Sequence, residues 1–322
     1  MDGATAPNRA AWDTRRPLTS ELAVVSAALM YGLTFKIVQD ALTDVTPVGF
    51  IFIRFVFATM FLLPFAGHRI GRAVREPGAR RRTLLVACGA FGITGFLGYT
   101  FQNAGLQHTT TSNSAFITGL YVVFAPLVET VAERRRPAAN VLLAVAGAVT
   151  GLFLLTGANF SLHQGDVYSL LCAFFFGWWI YLGGRYAGFD PLVLAAGQMV
   201  VYVVLAAPVV AIQGLGTLTR QAVLACAFTA LLGSALAFWL QLWGQQRVEP
   251  SRAAVLLMCE PVAAGVVGYL IGERIGVSGY VGAAVIFASM LVAEAEVWRR
   301  TSKRGRAESQ PDGSASLETS VA

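Results

Sequence analysis

The chain of 322 residues has a strongly apolar composition: 56% of its residues are hydrophobic, 13% are charged and the mean hydropathy is +0.61. A soluble globular domain typically carries about 25% charged residues, so most of this protein's surface must face something other than water. The composition therefore excludes a disordered chain, a coiled coil and a nucleic-acid-binding protein, and the net charge of +6 needs another explanation.

A helix needs about 20 mostly apolar residues to cross the hydrocarbon core of a membrane. Ten such runs follow one another along the chain, and they are continuously apolar rather than alternating, which argues against a β-barrel. The sequence therefore predicts an all-α, polytopic membrane protein with ten transmembrane helices. The predicted spans are 20–38, 47–66, 84–103, 112–131, 138–156, 166–184, 191–212, 221–243, 252–271 and 277–297.

The Lys and Arg residues fall almost entirely on one side of these spans. If the N-terminus is cytoplasmic, twenty of the 24 basic residues lie in cytoplasmic segments, and only Arg220 and Arg274 lie outside; Lys36 and Arg54 are within spans. Short cytoplasmic loops are enriched in Lys and Arg. We therefore expect a multi-pass protein of the cell membrane with both termini in the cytoplasm, and the basic excess is a topology signal.

The chain contains two related halves, which share polar and proline positions. We predict a cytoplasmic N-terminal segment at 1–19, five-helix repeats at 20–156 and 165–297, and a disordered cytoplasmic tail at 298–322. The matching positions are Pro47, Arg54 and Pro64 with Pro191, Gln198 and Pro208; Gln102, Gly105 and Gln107 with Gln241, Gly244 and Gln246; and Glu133-Arg134 with Glu273-Arg274.

Five spans per repeat is an odd number, so the second repeat must enter the membrane from the opposite side. The two repeats are then related by a pseudo-two-fold axis in the membrane plane. Inverted repeats of this kind are typical of secondary transporters, whose substrate site lies near the midplane between the repeats. Two similar halves of opposite orientation can exchange conformations at little cost in energy, as alternating access requires.

Five short motifs lie in or next to the predicted spans of both halves. They are Tyr31-Gly32-Leu33-Thr34-Phe35-Lys36, Arg54-Phe55, Gln102-Asn103-Ala104-Gly105-Leu106, Leu257-Met258-Cys259-Glu260-Pro261-Val262 and Gly272-Glu273-Arg274. Through these motifs the sequence resembles the drug/metabolite transporter superfamily, in its ten-helix EamA-like branch. This resemblance implies a helical bundle that moves small metabolites, commonly outward. A proline is usual in the family where the fourth span has Tyr121-Val122, so we expect a different bend in that span.

Three ionisable side chains within spans are candidate functional residues, because charge is costly in a membrane. Glu260, just before Pro261, is our candidate coupling acid, either as a proton carrier or as a partner for a substrate amine; a structural hydrogen bond to a neighbouring helix is the alternative. Lys36 either attracts an anionic substrate group or extends to the headgroups. Arg54 either lines the pathway or braces neighbouring helices, and its repeat partner Gln198 indicates a structural polar position.

Polar and aromatic faces complete the predicted substrate site. Tyr99, Gln102 and Asn103 share one helix face by their spacing. Aromatic and amide side chains also crowd the sixth and eighth spans, where an interfacial aromatic belt is the alternative interpretation. The predicted substrate-binding residues are Lys36, Tyr99, Gln102, Asn103, Trp178, Trp239, Gln241 and Glu260.

We therefore expect a secondary active transporter that exports a small polar or amphipathic metabolite, such as an amino acid, from a cavity between spans one, three, four, six, eight and nine. A multidrug efflux carrier is the alternative, and a membrane sensor or channel is a weaker one. No catalytic dyad, metal-ligand set or phosphate-binding loop is visible in the sequence, so we expect no enzyme, no cofactor and no bound metal. The expected partners are a small molecule, the lipid bilayer and protons, with a homodimer left open and nucleic acid excluded.

Overall fold

Each of the ten predicted spans is mainly helical over the residues that the computed structural model describes, which are 18–75, 78–134, 136, 139–155, 163–248, 250–289 and 291–292. Seven of the described helices are long and apolar enough to cross a membrane, and three shorter apolar helices complete the set. Of the terminal segments predicted at 1–19 and 298–322, all but residues 18 and 19 lie outside the described residues. The helices are α1 (Leu18–Ala41), α2 (Pro47–Arg75), α3 (Gly78–Leu106), α4 (Thr111–Ala132), α5 (Ala139–Leu155), α6 (Gln164–Arg185), α7 (Pro191–Gln213), α8 (Arg220–Gln245), α9 (Pro250–Leu257 and Cys259–Leu270) and α10 (Val277–Ser289).

Helices α2 and α3 are longer than the predicted spans, which end at 66 and begin at 84. Both helices instead continue well beyond their apolar runs, to Arg75 and from Gly78. Arginine is a good helix former, and Arg72 and Arg75 lie in the last turn of α2, where cations favour the helix dipole. The basic cluster is therefore part of a helical extension.

Three of the helices are irregular near their middle; a different bend was expected in α4, and no irregularity was predicted in α8. Helix α4 is interrupted between Thr118 and Tyr121, and α8 contains a π-helical segment at Leu231–Leu236. In α9 the break falls at Met258, three residues before Pro261, as the missing proline N–H predicts. Broken helices of this kind form the substrate sites of many transporters.

Equivalent helices of the two halves run in opposite directions. The start of α2 lies beside the end of α7: Thr46, just before α2, donates its backbone N–H to the oxygen of Leu215, just after α7, at 3.1 Å. At the other end of the pair, Arg69 Nη1 donates to Asp190 Oδ2 at 2.8 Å, so the end of α2 meets the start of α7. The protein is therefore built from inverted five-helix repeats.

The packing of the helices follows this pseudo-symmetry. Helix α3 packs on α6 just as α8 packs on α1, and α4 packs on α6 as α9 packs on α1. Helices α2 and α7 contact each other, as do α4 and α9. This arrangement surrounds the middle of the bundle with α1, α3, α4, α6, α8 and α9, and it brings their polar residues towards one point.

Candidate functional site

A small cavity of about 40 Å³ lies at the centre of the bundle. Residues from all six helices that were expected to surround such a cavity line it, and Arg54 adds α2. Its polar lining residues are Tyr31, Thr34, Arg54, Tyr99, Gln102, Tyr121, Gln241 and Glu260, and its apolar ones are Phe35, Val38, Leu106, Phe176, Trp179, Ile180 and Leu257.

Glu260 reaches this central cavity from the break in α9, where it is the second residue of the segment that begins at Cys259. Its side chain is buried, with 6% of the residue exposed. The Tyr121 hydroxyl lies 2.9 Å from Glu260 Oε2 and 3.0 Å from the backbone oxygen of Leu257. The acid is thus linked to α4 at the interruption of both helices.

Arg54 extends from α2 to the π-helical segment of α8. Its Nε donates to Ser234 Oγ and its Nη2 to the Gly233 carbonyl, each at 2.7 Å. The guanidinium also lies 5.1 Å from the centre of the Tyr99 ring, a distance typical of cation–π contacts. The π-helical turn provides a carbonyl for the arginine, and the contacts favour the bracing role over a freely mobile charge.

Two amides present further polar groups to the central cavity. Gln241 accepts a hydrogen bond from the Tyr31 hydroxyl at 2.9 Å through Oε1. Its Nε2 is buried and finds no acceptor among the described residues. A buried donor without an acceptor is uncommon and calls for an explanation; a ligand group in the cavity would supply one. Gln102 lines the same cavity and is also buried.

Four of the predicted site residues lie away from the cavity. Lys36 forms an ion pair with Asp40 at 2.6 Å and is about one-third exposed, and Asn103 donates to the Pro47 carbonyl at 3.1 Å. Trp178 packs on Tyr181, and Trp239 is partly buried against the surrounding apolar core. None of these four side chains lines the central cavity.

Gln198 is also placed away from the cavity, at a fully buried structural position. Its Oε1 accepts hydrogen bonds from Trp179 Nε1 at 2.7 Å and from the Tyr202 hydroxyl at 2.9 Å. Arg54 and Gln198, which match in the repeat, therefore each connect neighbouring helices by hydrogen bonds.

Tyr31, Tyr121, Phe176 and Trp179 line the cavity but were not among the predicted site residues. Successive residues of a helix point about 100° apart, so the choice between Trp178 and its neighbour decides which ring faces inward. Phe176 and Trp179 are three residues apart and share one face of α6, and this spacing could have identified Trp179 as the tryptophan that faces the cavity. Tyr121 stands where a proline is usual in the family that the sequence resembles, and this difference could have identified it as a candidate site residue.

A larger open cavity of about 900 Å³ lies at the end of the bundle where α1 and α3 end and α4, α6 and α10 begin; we call it the vestibule. Polar residues line much of it, including Gln39, Asn113, Asp166 and Arg274. Leu106 borders both cavities, so the vestibule adjoins the central cavity at this side chain.

Glu273 ties α9 to α4 beside the vestibule. Its carboxylate accepts hydrogen bonds from the backbone N–H groups of Thr111 and Ser112, both at 3.0 Å, and from Ser112 Oγ at 2.6 Å. Partial burial raises the pKa of this carboxyl, but the hydrogen bonds outweigh it and hold the pKa below its ordinary value. The ionised carboxylate thus holds the start of α4 against the end of α9.

Comparison with known proteins agrees with this architecture. The sequence model of the EamA-like transporter family matches residues 18–157 and again 163–294. The chain belongs to the EamA-like transporter family. Two proteins of Archaeoglobus fulgidus, each described as an uncharacterized transporter, are 31% and 25% identical to it; the alignments cover 87% of this chain in both cases, and 87% and 96% of those proteins.

A solved crystal structure has the same fold, with a TM-score of 0.64 at 18% sequence identity over 88% of this chain and 98% of its own. Together with the apolar helices, the family assignment identifies this EamA-like protein as a multi-pass membrane transporter. Its environment is therefore the lipid bilayer, and its substrate is a small molecule.

Proposed function

We propose that this EamA-like protein is a secondary active transporter that exports a small polar or amphipathic metabolite, such as an amino acid, by alternating access. The observation that carries the proposal is the central cavity, where an acid, an arginine and an amide donor converge between inverted repeats. A zwitterion offers a carboxylate for the Nε2 group of Gln241, which has no acceptor among the described residues, and Glu260 is left to carry the coupling proton. The aromatic walls suit the less polar part of such a molecule.

The size of the cavity supports an alternating mechanism. Small-molecule sites usually have volumes of about 300–1,000 Å³, whereas about 40 Å³ is room for only a few water molecules at most. Binding of a metabolite therefore requires α4 and α9 to move away from α1 and α6. The interruptions near Gly119 and Met258 are the natural places for that movement.

The direction of the protein in the membrane follows from its charges. The strong bias of Lys and Arg supports cytoplasmic termini, which would place the vestibule on the outer side. Export then means loading of the central cavity from the cytoplasm and release past Leu106 into the vestibule. Glu260 is the proposed coupling acid, which would bind a proton in one of these steps.

The test is counterflow in proteoliposomes made with the purified chain, using radiolabelled amino acids one at a time. Liposomes preloaded with an unlabelled amino acid should accumulate the same labelled compound transiently, because only a carrier exchanges substrate across the membrane. Imposing a pH gradient should then drive net movement in the wild type but not in Glu260→Gln, which retains exchange.

Asp40→Asn serves as a matched control, because Asp40 pairs with Lys36 at the helix end and lies away from the cavity. It should respond to the pH gradient like the wild type. Absence of counterflow for every amino acid would refute that substrate class, and net uptake by Glu260→Gln equal to that of the wild type would refute the coupling role.

A further inference from the structure

The break in α9 leaves a backbone carbonyl that needs a hydrogen-bond donor. Pro261 has no N–H, so the oxygen of Leu257, four residues earlier, cannot accept the usual helical hydrogen bond. Unsatisfied carbonyls are costly in the interior of a membrane protein. The Tyr121 hydroxyl lies 3.0 Å from this oxygen, so a side chain of α4 supplies the missing donor.

The same hydroxyl is also 2.9 Å from Glu260 Oε2. A tyrosine hydroxyl has one proton to donate and can accept another hydrogen bond through its lone pairs. The Leu257 oxygen can only accept, so it must receive the Tyr121 proton. Both contacts are full hydrogen bonds only if the Glu260 carboxyl carries a proton and donates it to the Tyr121 oxygen. The two distances therefore fit a neutral Glu260 that donates to Tyr121 while Tyr121 donates to Leu257.

Loss of the Glu260 proton changes which acceptor the tyrosine serves. An ionised carboxylate is a stronger acceptor than a backbone carbonyl, by roughly a factor of two in hydrogen-bond strength. The single hydroxyl proton of Tyr121 would then turn to the carboxylate, and the Leu257 oxygen would lose its donor. The titratable side chains that face Glu260 from the surrounding helices are Tyr31 of α1, Arg54 of α2, Tyr99 of α3, Tyr121 of α4 and Cys172 of α6.

We propose that Tyr121 is a positioning residue that makes the connection between α4 and the break in α9 depend on the proton of Glu260. The neutral acid, Tyr121 and Leu257 form one chain of hydrogen bonds that fixes the break. When Glu260 releases its proton to water in an opened cavity, Tyr121 donates to the carboxylate, the Leu257 carbonyl is freed and the break can bend. The proposal rests on the proposed function, in which Glu260 is the coupling acid.

The position of Tyr121 in the repeat supports a dedicated role. At the offset of 140 that relates Glu133 to Glu273, Tyr121 corresponds to Pro261. The first repeat therefore carries a hydroxyl where the second carries the helix-breaking proline. The two residues meet across the pseudo-two-fold axis, since the hydroxyl satisfies the carbonyl that the proline frees.

Infrared difference spectroscopy of the purified full chain, recorded between acidic and alkaline pH, tests the hydrogen bonds without a substrate. We expect the wild type to show a band of a protonated buried carboxyl that is absent in Glu260→Gln. Tyr121→Phe should shift this band to higher frequency, because the acid loses its acceptor. Tyr31→Phe is the matched control and should not shift the band, since the Tyr31 hydroxyl donates to Gln241. A wild type without the band, or a band that is the same in Tyr121→Phe, would overturn the proposal.

Hydrogen–deuterium exchange tests the consequence for the helix break. After correction for the intrinsic effect of pH, amides around residues 257–262 should exchange slowly while Glu260 is protonated and faster once it is ionised. In Tyr121→Phe they should exchange fast at both pH values. Equal exchange by wild type and Tyr121→Phe at both pH values would contradict the proposed connection, and retention of the wild-type melting temperature would show that the variant is folded.

These measurements separate the two proposals. If the band and the exchange behave as expected but no labelled amino acid moves in proteoliposomes, the Tyr121 connection stands and the proposed substrate class fails. If a pH gradient drives amino-acid transport while Tyr121→Phe leaves both the band and the exchange unchanged, the carrier function stands and the role of Tyr121 is wrong.

Discussion

Replacement of Glu273 by alanine should loosen the contact between α4 and α9 beside the vestibule. The substitution removes acceptors for three hydrogen bonds, from the N–H groups of Thr111 and Ser112 and from the Ser112 hydroxyl. Each is worth about 0.5–1.5 kcal/mol net, and screening of a carboxylate that is only partly buried favours the low end. We expect a loss of about 2 kcal/mol for Glu273→Ala and about half of that for Glu273→Gln, which keeps one acceptor oxygen. The control Asp40→Asn, which removes an exposed ion pair with Lys36, should cost no more than about 0.5 kcal/mol.

The difference in stability between wild type and Glu273→Ala should depend on pH in one direction. Because the hydrogen bonds lower the pKa of Glu273 from its ordinary 4.5, the carboxylate stabilises the fold fully above pH 4.5, and its contribution is lost as the pH falls through the lower folded-state value. Unfolding of wild type and Glu273→Ala in mild detergent should therefore differ by the same amount from neutral to weakly acidic pH and converge only in stronger acid. The reasoning would be refuted if the unfolding free energies of wild type and Glu273→Ala became equal well above pH 4.5. An equal loss of stability in Asp40→Asn would refute it as well.

Two further substitutions have neighbouring controls. Gly95→Ala should lower stability by about 1–3 kcal/mol, because the new methyl group would overlap the buried ring and hydroxyl of Tyr202. Gly89→Ala in the same helix meets no atom within 4 Å and should melt at or above the wild-type temperature, so equal effects would exclude close packing as the cause. Trp179→Phe, which removes a hydrogen bond and part of the cavity wall, should weaken amino-acid exchange about tenfold, or about 1.4 kcal/mol. Trp178→Phe should leave exchange near the wild-type rate, and the opposite order would contradict the assigned helix face.

The number of helices and the inversion of the repeats could be predicted from sequence because both depend on local or periodic signals. Apolar runs mark the spans, and Pro47 and Pro191 stand at the first position of α2 and α7, where a missing N–H is harmless. The break before Pro261 is local as well. Tertiary contacts decide the other two irregularities: Gly119 lies in the interruption of α4, which the apolar pattern does not mark, and the π-helical segment of α8 offers an acceptor to Arg54.

The site was predicted only in part, because its geometry depends on residues that are distant in sequence. Gln102, Gln241 and Glu260 could be singled out as polar residues within apolar helices. The partner of Leu257 could not, since Tyr121 lies 136 positions away and reaches it through the packing of two broken helices. Lys36 does not line the central cavity, for a different reason: Asp40, one turn later, pairs with it at the end of α1.

The two repeats share a backbone plan but not the ionisable groups of the central cavity, and this difference bears on the direction of coupling. At the offset of 140, Glu260 corresponds to Leu120 and Pro261 to Tyr121, and Arg54 corresponds to a neutral amide. A symmetric backbone gives inward-open and outward-open states of similar energy, so it cannot by itself favour movement in one direction. Glu260 has no acidic counterpart in the first repeat. When the two repeats exchange conformations, the neighbours of Glu260 therefore change and no equivalent acid takes its former place. A ligand or proton shifts a two-state equilibrium only by its difference in affinity between the states. In the proposed mechanism, the asymmetric placement of Glu260 and Tyr121 is therefore where a proton gradient would act on an otherwise balanced pair of conformations.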